Sequence, residues 1–491
     1  MNYAIVFKLQ SVILGAIAVA FAICIGVAYA YDHQLGSDLS VMGFSVSFVV
    51  AACLSVGCFL LGKTGDNKLF RKEALATIGC GWIVASLAGA LPYFLILEDL
   101  SFAGAFFESA SGLTTTGASV LGDLESLPRS LHTWRALSQW MGGLGVVVFF
   151  VAVLSFLGAG AKVLFSRESS AQAADLNTSR VQSGVLQLVQ LYLLLSVLCT
   201  IVYWLCGLSW FESVIHMFTT LSTGGFSTRS GSIADFNNPS LEWAIIFFMA
   251  TGGTSFLIII DGLARRWRAI ANSTEVKAYY LILACFITAI TIFLMTDQDN
   301  TLPLEEAIRT SAFQVVSIMT TTGFATADFD LWLPVTHILL LAAMFIGGCS
   351  GSTAGGTKVI RVIVALKVAG QQIEKAYRAR VIRPLKVNGK SFSLSEQETI
   401  IVYLVLLCIM VFSGTLIVSF LEPSMSFEGT VSAMAACLFN IGPGFAEVGP
   451  TQNFAGFHSW TQVFLSLLMI LGRLELFALL VLLSPSLWKR F

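Results

Sequence analysis

The 491-residue chain reads as an all-α polytopic membrane protein: an N-terminal helix pair followed by four helix–pore loop–helix repeats with pseudo-fourfold symmetry. Three observations carry this reading. Hydrophobic residues make up 56% of the chain and charged residues only 12%, where a soluble domain carries about 25% charged residues. Apolar runs of about 20 residues, the length that crosses a bilayer, recur from end to end. Between some of them lie apolar segments too short to span, and each short segment ends in small residues rich in Thr, Ser or Gly. Such a composition excludes a soluble globular domain, a disordered chain and a nucleic-acid binder that needs a strongly basic face.

The spans fall near 5–30, 40–62, 74–97, 133–160, 182–207, 240–264, 278–296, 332–346 with a continuation to about 367, 399–420 and 460–486. The first ends at Ala28-Tyr29-Ala30, which has the spacing of a signal-peptidase site. Its apolar run exceeds the 7–15 residues of a signal core, so it reads as a retained helix. The short segments are 101–116, 211–224, 304–322 and 427–441. They divide the chain into an N-terminal pair (1–70) and repeats at 71–168, 169–270, 271–390 and 391–491.

Charge sets the orientation. Lys8 and the stretches 63–72, 162–180, 265–277, 358–390 and 489–490 hold 23 of the 28 basic residues. The flanks of the short segments hold most of the acids, among them Asp123, Glu125, Glu305, Glu306, Asp328, Asp330 and Glu447. Basic loops face the cytoplasm, so the short segments enter from outside. The nine basic residues of 358–390, Lys375, Arg378, Arg380 and Arg383 included, suit anionic membrane lipid and a cytosolic partner. The ten cysteines lie almost all in apolar runs with no Cys-x-x-Cys pair, and the five histidines are scattered. They read as packing residues rather than a metal site.

The short segments end in Leu113-Thr114-Thr115-Thr116-Gly117-Ala118-Ser119, Leu221-Ser222-Thr223-Gly224-Gly225-Phe226-Ser227, Met319-Thr320-Thr321-Thr322-Gly323-Phe324-Ala325 and the divergent Asn440-Ile441-Gly442-Pro443-Gly444-Phe445. These align on Gly117, Gly225, Gly323 and Gly444. Non-helical backbone is tolerated at membrane depth only where protein buries it or water wets it. Four such segments on one axis could turn carbonyl oxygens toward an ion and replace its hydration shell, glycine permitting the φ values this needs. Four helix carboxyl ends aimed at one point would also favour a cation. The expected filter residues are Thr115, Thr116, Gly117, Thr223, Gly224, Gly225, Thr321, Thr322, Gly323, Gly442, Pro443 and Gly444.

These motifs, with Gly347–Lys358 and Gly472–Phe477, resemble the Trk/Ktr/HKT superfamily of potassium transporters, and within it the TrkH type, over essentially the whole chain. The resemblance implies a potassium pathway in the bacterial inner membrane, one pore per protomer, a homodimer and a cytosolic nucleotide-binding regulatory subunit of the TrkA type. Gly117 stands where a serine goes with sodium permeation in the family, which favours potassium.

Two gates are expected. Arg473 lies in the middle of the last span, where a charge costs about 2.5–3.5 kcal/mol on insertion scales. It should project into the pore below the filter; the plainer role is an ion pair with Glu475, although positions i and i+2 do not share a helix face. The second gate is Gly347-Gly348-Cys349-Ser350-Gly351-Ser352-Thr353-Ala354-Gly355-Gly356-Thr357. It follows only fifteen apolar residues (332–346), about 22 Å of helix against a core of about 30 Å. The break therefore falls inside the membrane, with Gly347, Gly348, Gly351, Gly355 and Gly356 free to move beneath Gly323. A phosphate-loop reading of Gly351–Lys358 fails on residue order and on the missing strand. The alternative to a gated channel is a proton- or sodium-coupled symporter, for which Asp261 is the nearest acid to a span apart from Glu475. A membrane enzyme would need clustered catalytic side chains in the bilayer, and none is seen.

Overall fold

A computed structural model of the chain describes residues 1–33, 38–63, 70–156, 178–296, 302–378, 384–387 and 390–485. Most of the basic stretch 162–180, together with Arg380 and Arg383, lies outside the described residues. Among the described residues, six helices are long and apolar enough to cross a membrane.

Helices α1 (Tyr3–Val27) and α2 (Asp38–Gly62) pair with each other and then lean on α3 (Arg71–Ile96). Phe21 of α1 meets Phe44 of α2 at 6.2 Å and Trp134 at 4.7 Å between ring centroids. The helical turn continues through Ala28–Asp32. Asp32 is buried there, accepting from the backbone N–H groups of Arg129 (3.0 Å) and Ser130 (3.1 Å). It thereby satisfies the free donors at the start of α5 (Arg129–Phe156), the role an N-terminal carboxylate fills best.

The four short segments are helices α4 (Phe102–Leu113), α7 (Trp210–Leu221), α12 (Leu304–Met319) and α16 (Phe427–Leu438). Three have a serine N-cap: Ser101, Ser209 and Ser426 accept from the N–H groups of Gly104, Glu212 and Gly429. Ser209 and Glu212 complete a reciprocal capping box. Their outer ends are thus fixed by short polar side chains, while the rest of each helix is almost wholly buried. They sit among α6 (Thr178–Leu205), α8 (Pro239–Gly252), α9 (Phe256–Leu263), α10 (Trp267–Asn272) and α11 (Thr274–Thr296). The set is completed by α13 (Pro334–Ile346), α14 (Val359–Tyr377), α15 (Leu394–Leu421) and α17 (Ser459–Arg473).

Two expected continuous spans are broken. The run 240–264 bends by 101° between α8 and α9, at Gly253-Thr254-Ser255. There the bulk of a side chain at Gly253 would press on Thr320 and the Tyr279 hydroxyl. The run 460–486 stops at Arg473, because Glu475 (φ 54°) and Leu476 (φ 66°) leave the helical region. Among the described residues, one feature departs from an all-helical chain: a short antiparallel hairpin, β1 (Leu385–Val387) with β2 (Lys390–Phe392), whose Leu385 and Val387 pack against Val364 of α14.

Candidate functional site

Each short helix ends in the same way. Thr115, Thr223, Thr321 and Asn440 take left-handed φ values of 55°, 54°, 57° and 57°. The next N–H in each loop reaches five residues back: Thr116 to Ser111 (2.9 Å), Gly224 to Thr219 (2.8 Å), Thr322 to Ser317 (2.8 Å) and Ile441 to Ala436 (2.9 Å). This is the Schellman termination, ordinarily made with glycine in the left-handed position. Three β-branched threonines there are strained by roughly 1–3 kcal/mol each, and asparagine tolerates the conformation best.

The following residue in register is a glycine with positive φ: Gly117 (84°), Gly225 (77°), Gly323 (83°) and Gly442 (105°). A Cβ at Gly117 would overlap the Gly224 carbonyl oxygen, one at Gly225 that of Thr322, one at Gly323 that of Ile441, and one at Gly442 that of Thr116. First meets second, second meets third, third meets fourth, fourth meets first. The four loops close into a ring. A cavity of about 140 Å³ opens outward from it, lined by Gly117, Gly225, Gly323, Gly442, Pro443 and residues of the outer loops.

The fourth loop is therefore two residues out of the register expected from sequence. Asn440, Ile441 and Gly442 occupy the places of Thr115, Thr116 and Gly117. Pro443 matches Ala118, and Gly444 matches Ser119, packing outward against Ser432 and Val448. A sequence signal for this exists: Leu113, Leu221, Met319 and Leu438 each precede the ring glycine by four residues. Asn440 also ties the ring shut, its Nδ2 donating to Thr116 Oγ1 (3.0 Å) and to the Met469 carbonyl (2.9 Å). The second loop has its own brace: Gln139 donates to the Gly224 carbonyl and accepts from Phe226 N–H (3.1 Å).

Directly beneath lies the glycine-rich loop 347–357. Gly355 N–H donates to Thr321 Oγ1 (2.7 Å) and Gly356 N–H to the Phe439 carbonyl (3.1 Å). Thr353 Oγ1 meets the carbonyls of Leu221 (2.9 Å) and Gly252 (3.1 Å). The loop thus satisfies carbonyl groups left open at the carboxyl ends of α7 and α16. Cys349, Ser352, Thr353, Ala354 and Thr357 are buried, which excludes a plain loop at the cytoplasmic surface. Gly347, Gly351 and Gly356 all have positive φ.

The two expected gates are one assembly. Arg473 Nη1 donates to the Thr353 carbonyl (2.9 Å), while its Nε and Nη2 are buried without a partner. The plainer alternative, a hydrogen-bonded ion pair with Glu475, is not formed. Glu475 bonds instead to Arg361 of α14, whose guanidinium also lies 4.3 Å from the centre of the Tyr403 ring. Lys358 Nζ caps the Ala354 carbonyl (2.7 Å), and Glu275 accepts from Ser350 N–H (2.7 Å). Sequence reasoning missed Lys358, Arg361 and Glu275 because their partners are backbone groups or residues distant in the chain. Asp261 pairs with Arg266 (3.2 Å) on the exposed side of the α9–α10 turn.

Re-entrant helices whose loops close a ring inside a bundle of membrane-length helices define a polytopic membrane protein built around a central constriction. The chain belongs to the TrkH family, described as cation transport protein, whose family model matches residues 41–490. The Trk system potassium uptake protein TrkH of Vibrio parahaemolyticus serotype O3:K6 is 30% identical over 495 residues, covering 97% of this chain and 98% of its own. Its namesake in Escherichia coli K12 is 30% identical, covering 91% and 92%. The crystal structure of the potassium transporter TrkH from Vibrio parahaemolyticus superposes with a TM-score of 0.89 at 27% identity, covering 100% of both chains. The chain is accordingly a multi-pass protein of the bacterial inner membrane, and its relatives carry the names of ion uptake proteins rather than enzymes.

Proposed function

We propose that this chain mediates potassium uptake across the bacterial inner membrane through a gated, channel-like pore. The single observation that carries the reading is the closed ring of positive-φ glycines, each packed on a carbonyl of the next loop. The carbonyls of Thr116, Thr322 and Ile441, with that of Gly224, are the ligands that stand in for the ion's hydration shell. The carboxyl ends of α4, α7, α12 and α16 add partial negative charge beneath them. The names of the relatives support potassium as the transported ion. K⁺ is cargo here, and the reading requires no cofactor.

Loop 347–357 and Arg473 form the closed gate. The loop occupies the inner mouth of the ring, and Arg473 adds an incompletely compensated positive charge there. The naming of the relatives as parts of a Trk system supports a partnership with other Trk components, which we take to be a cytosolic nucleotide-binding regulator of the TrkA type acting on a homodimer. Helix α14 starts at Val359 beside the gate and exposes Leu366, Ile373 and Tyr377 farther along. It is the lever such a regulator would pull.

Reversal potentials of the purified protein in a planar bilayer test the reading. Under K⁺, Na⁺ and pH gradients applied in turn, the potential is expected to follow the K⁺ gradient alone with a Nernstian slope. A potential that moves with pH or Na⁺ at fixed K⁺ would replace the channel by the coupled symporter.

A further inference from the structure

The residue nine places before each ring glycine faces that repeat's own outer loop, and it differs in every repeat: Glu108, His216, Gln314 and Ala433. In the second repeat, His216 Nε2 lies 3.2 Å from Ser227 Oγ. In the third, the Gln314 amide oxygen is placed to accept from the N–H groups of Thr326 (2.9 Å) and Ala327 (3.1 Å). In the fourth, Ala433 has nothing to offer and the adjacent Ser432 Oγ accepts from Phe445 N–H (2.8 Å). Those three braces are short and local.

The first repeat uses a fully buried ion pair. Glu108 accepts from Arg135 Nε (2.9 Å), from Val120 N–H (3.1 Å) and from Ser119 Oγ (3.0 and 3.1 Å). Arg135 then leaves its own repeat. Its Nη1 donates to the Ser227 carbonyl (3.0 Å) in the second loop, and its guanidinium lies 4.2 Å from the Phe226 ring centre. One salt bridge therefore spans the seam between two filter loops, two residues outside Gly117 and Gly225. Arg135 also lines the outer-mouth cavity, so its charge stands beside the ion's entry and Glu108 neutralises it.

We infer that the Glu108–Arg135 pair is a specificity-determining brace: it fixes the separation of the first two loops and so holds the ring at the width that rejects Na⁺. The inference rests on the ring being the filter. Arg135 does not touch the ion; it is a positioning residue. Removing Glu108 alone has two consequences, a loosened seam and an uncompensated positive charge at the entry. Removing both charges has only the first.

The test is the K⁺/Na⁺ permeability ratio and the K⁺ conductance of single channels in a planar bilayer. These are properties of each conducting molecule, so lost folded protein changes their number and not their ratio. Glu108→Gln is expected to lower both conductance and ratio. Glu108→Gln with Arg135→Met is expected to recover conductance while the ratio stays down by about three- to tenfold, since discrimination needs a ring of fixed ligand geometry. Arg135→Lys keeps the charge for Glu108 but cannot also hold Ser227, and it carries the same expectation if the double variant does not fold. Arg309→Gln breaks an outer-face ion pair with Glu242 and Glu305 on helices α8 and α12, away from the loops, and should leave the ratio unchanged. A parental ratio in the double variant and in Arg135→Lys, or an equal drop in Arg309→Gln, overturns the inference. A parent protein without K⁺ preference overturns the filter reading instead.

Discussion

The side chains that brace the loops above the ring glycines all have partners, whereas several buried groups immediately below the ring have none. On the outer side Glu108, Arg135, Ser119 and Ser227 form one network, and His216, Gln314 and Ser432 brace the remaining loops. On the inner side Thr115 Oγ1, Asn440 Oδ1 and two nitrogens of Arg473 are buried without partners, next to a loop in which five of eleven residues are glycine. A network with every group satisfied resists rearrangement. The loop below is held to its surroundings by hydrogen bonds at Ser350, Thr353, Gly355 and Gly356 rather than by bulky packed side chains, and glycine leaves its backbone the widest choice of conformations. On the proposed reading, the contrast separates what stays fixed for selection from what moves for conduction.

The largest expected effect breaks the fixed side. Gly225→Ala, Gly323→Ala and Gly442→Ala each force a side chain into left-handed backbone, at about 1–2 kcal/mol, and into a neighbouring carbonyl. Uptake of K⁺ by cells lacking other potassium transporters should fall by about 100-fold or more, each 1.4 kcal/mol counting tenfold. Gly444→Ala meets the Ser432 and Val448 side chains without a positive φ, and should lose no more than about tenfold. Equal losses at Gly442 and Gly444 would put the register of the fourth loop in question.

That register also marks where sequence reasoning ran out. Hydropathy and charge located the spans, the four short segments and the first three ring glycines, because burial in a bilayer imposes a coarse composition on long stretches. The fourth loop offers two glycines around Pro443, and composition alone does not choose between them; the helix end at Leu438 does. The breaks at 253–255 and 474–476 sit inside apolar runs long enough to read as continuous spans, and Gly253-Thr254-Ser255 and the charges of Arg473 and Glu475 interrupt those runs too briefly to end them. Arg473 was visible as an isolated charge, yet its neighbour Glu475 is taken by Arg361 from another helix. Glu108 stood in plain view as an acid inside an apolar segment, but only folding shows that Arg135 answers it.

On the moving side, Arg473→Ala should raise mean K⁺ current at the bilayer by about tenfold, the equivalent of a barrier lowered by about 1.4 kcal/mol. Unchanged conductance and rectification would remove Arg473 from the gate. A smaller change is expected at Thr353→Val, which keeps the shape of the side chain but loses the hydroxyl held by the Leu221 and Gly252 carbonyls. A hydrogen bond of this kind contributes about 1 kcal/mol, so the open-to-closed ratio should rise about fivefold, read as open probability in single-channel records. A rise at Thr353 larger than at Arg473 would mean that the loop, and not the charge, is the principal barrier.

The smallest effect lies at the outer rim, on the fixed side but beyond the braces. Glu125 accepts from Ser230 N–H (2.7 Å) and Oγ (2.6 Å), joining the first outer loop to the second. The Ser230 hydroxyl hydrogen bond holds the Glu125 carboxyl below the usual carboxylate range. A carboxyl with a depressed native pKa contributes stability that is fully present above its unfolded value, about 4.3, and is lost as the pH falls through the native value. Because Glu125 is exposed, solvent screens most of this contribution. Glu125→Ala should therefore lower the thermal midpoint slightly at neutral pH, and the gap to the parent should close below about pH 4. The K⁺/Na⁺ ratio should not move, because this tie lies outside the Glu108–Arg135 brace. A ratio that fell with Glu125 would extend the selective part of the molecule outward to the rim.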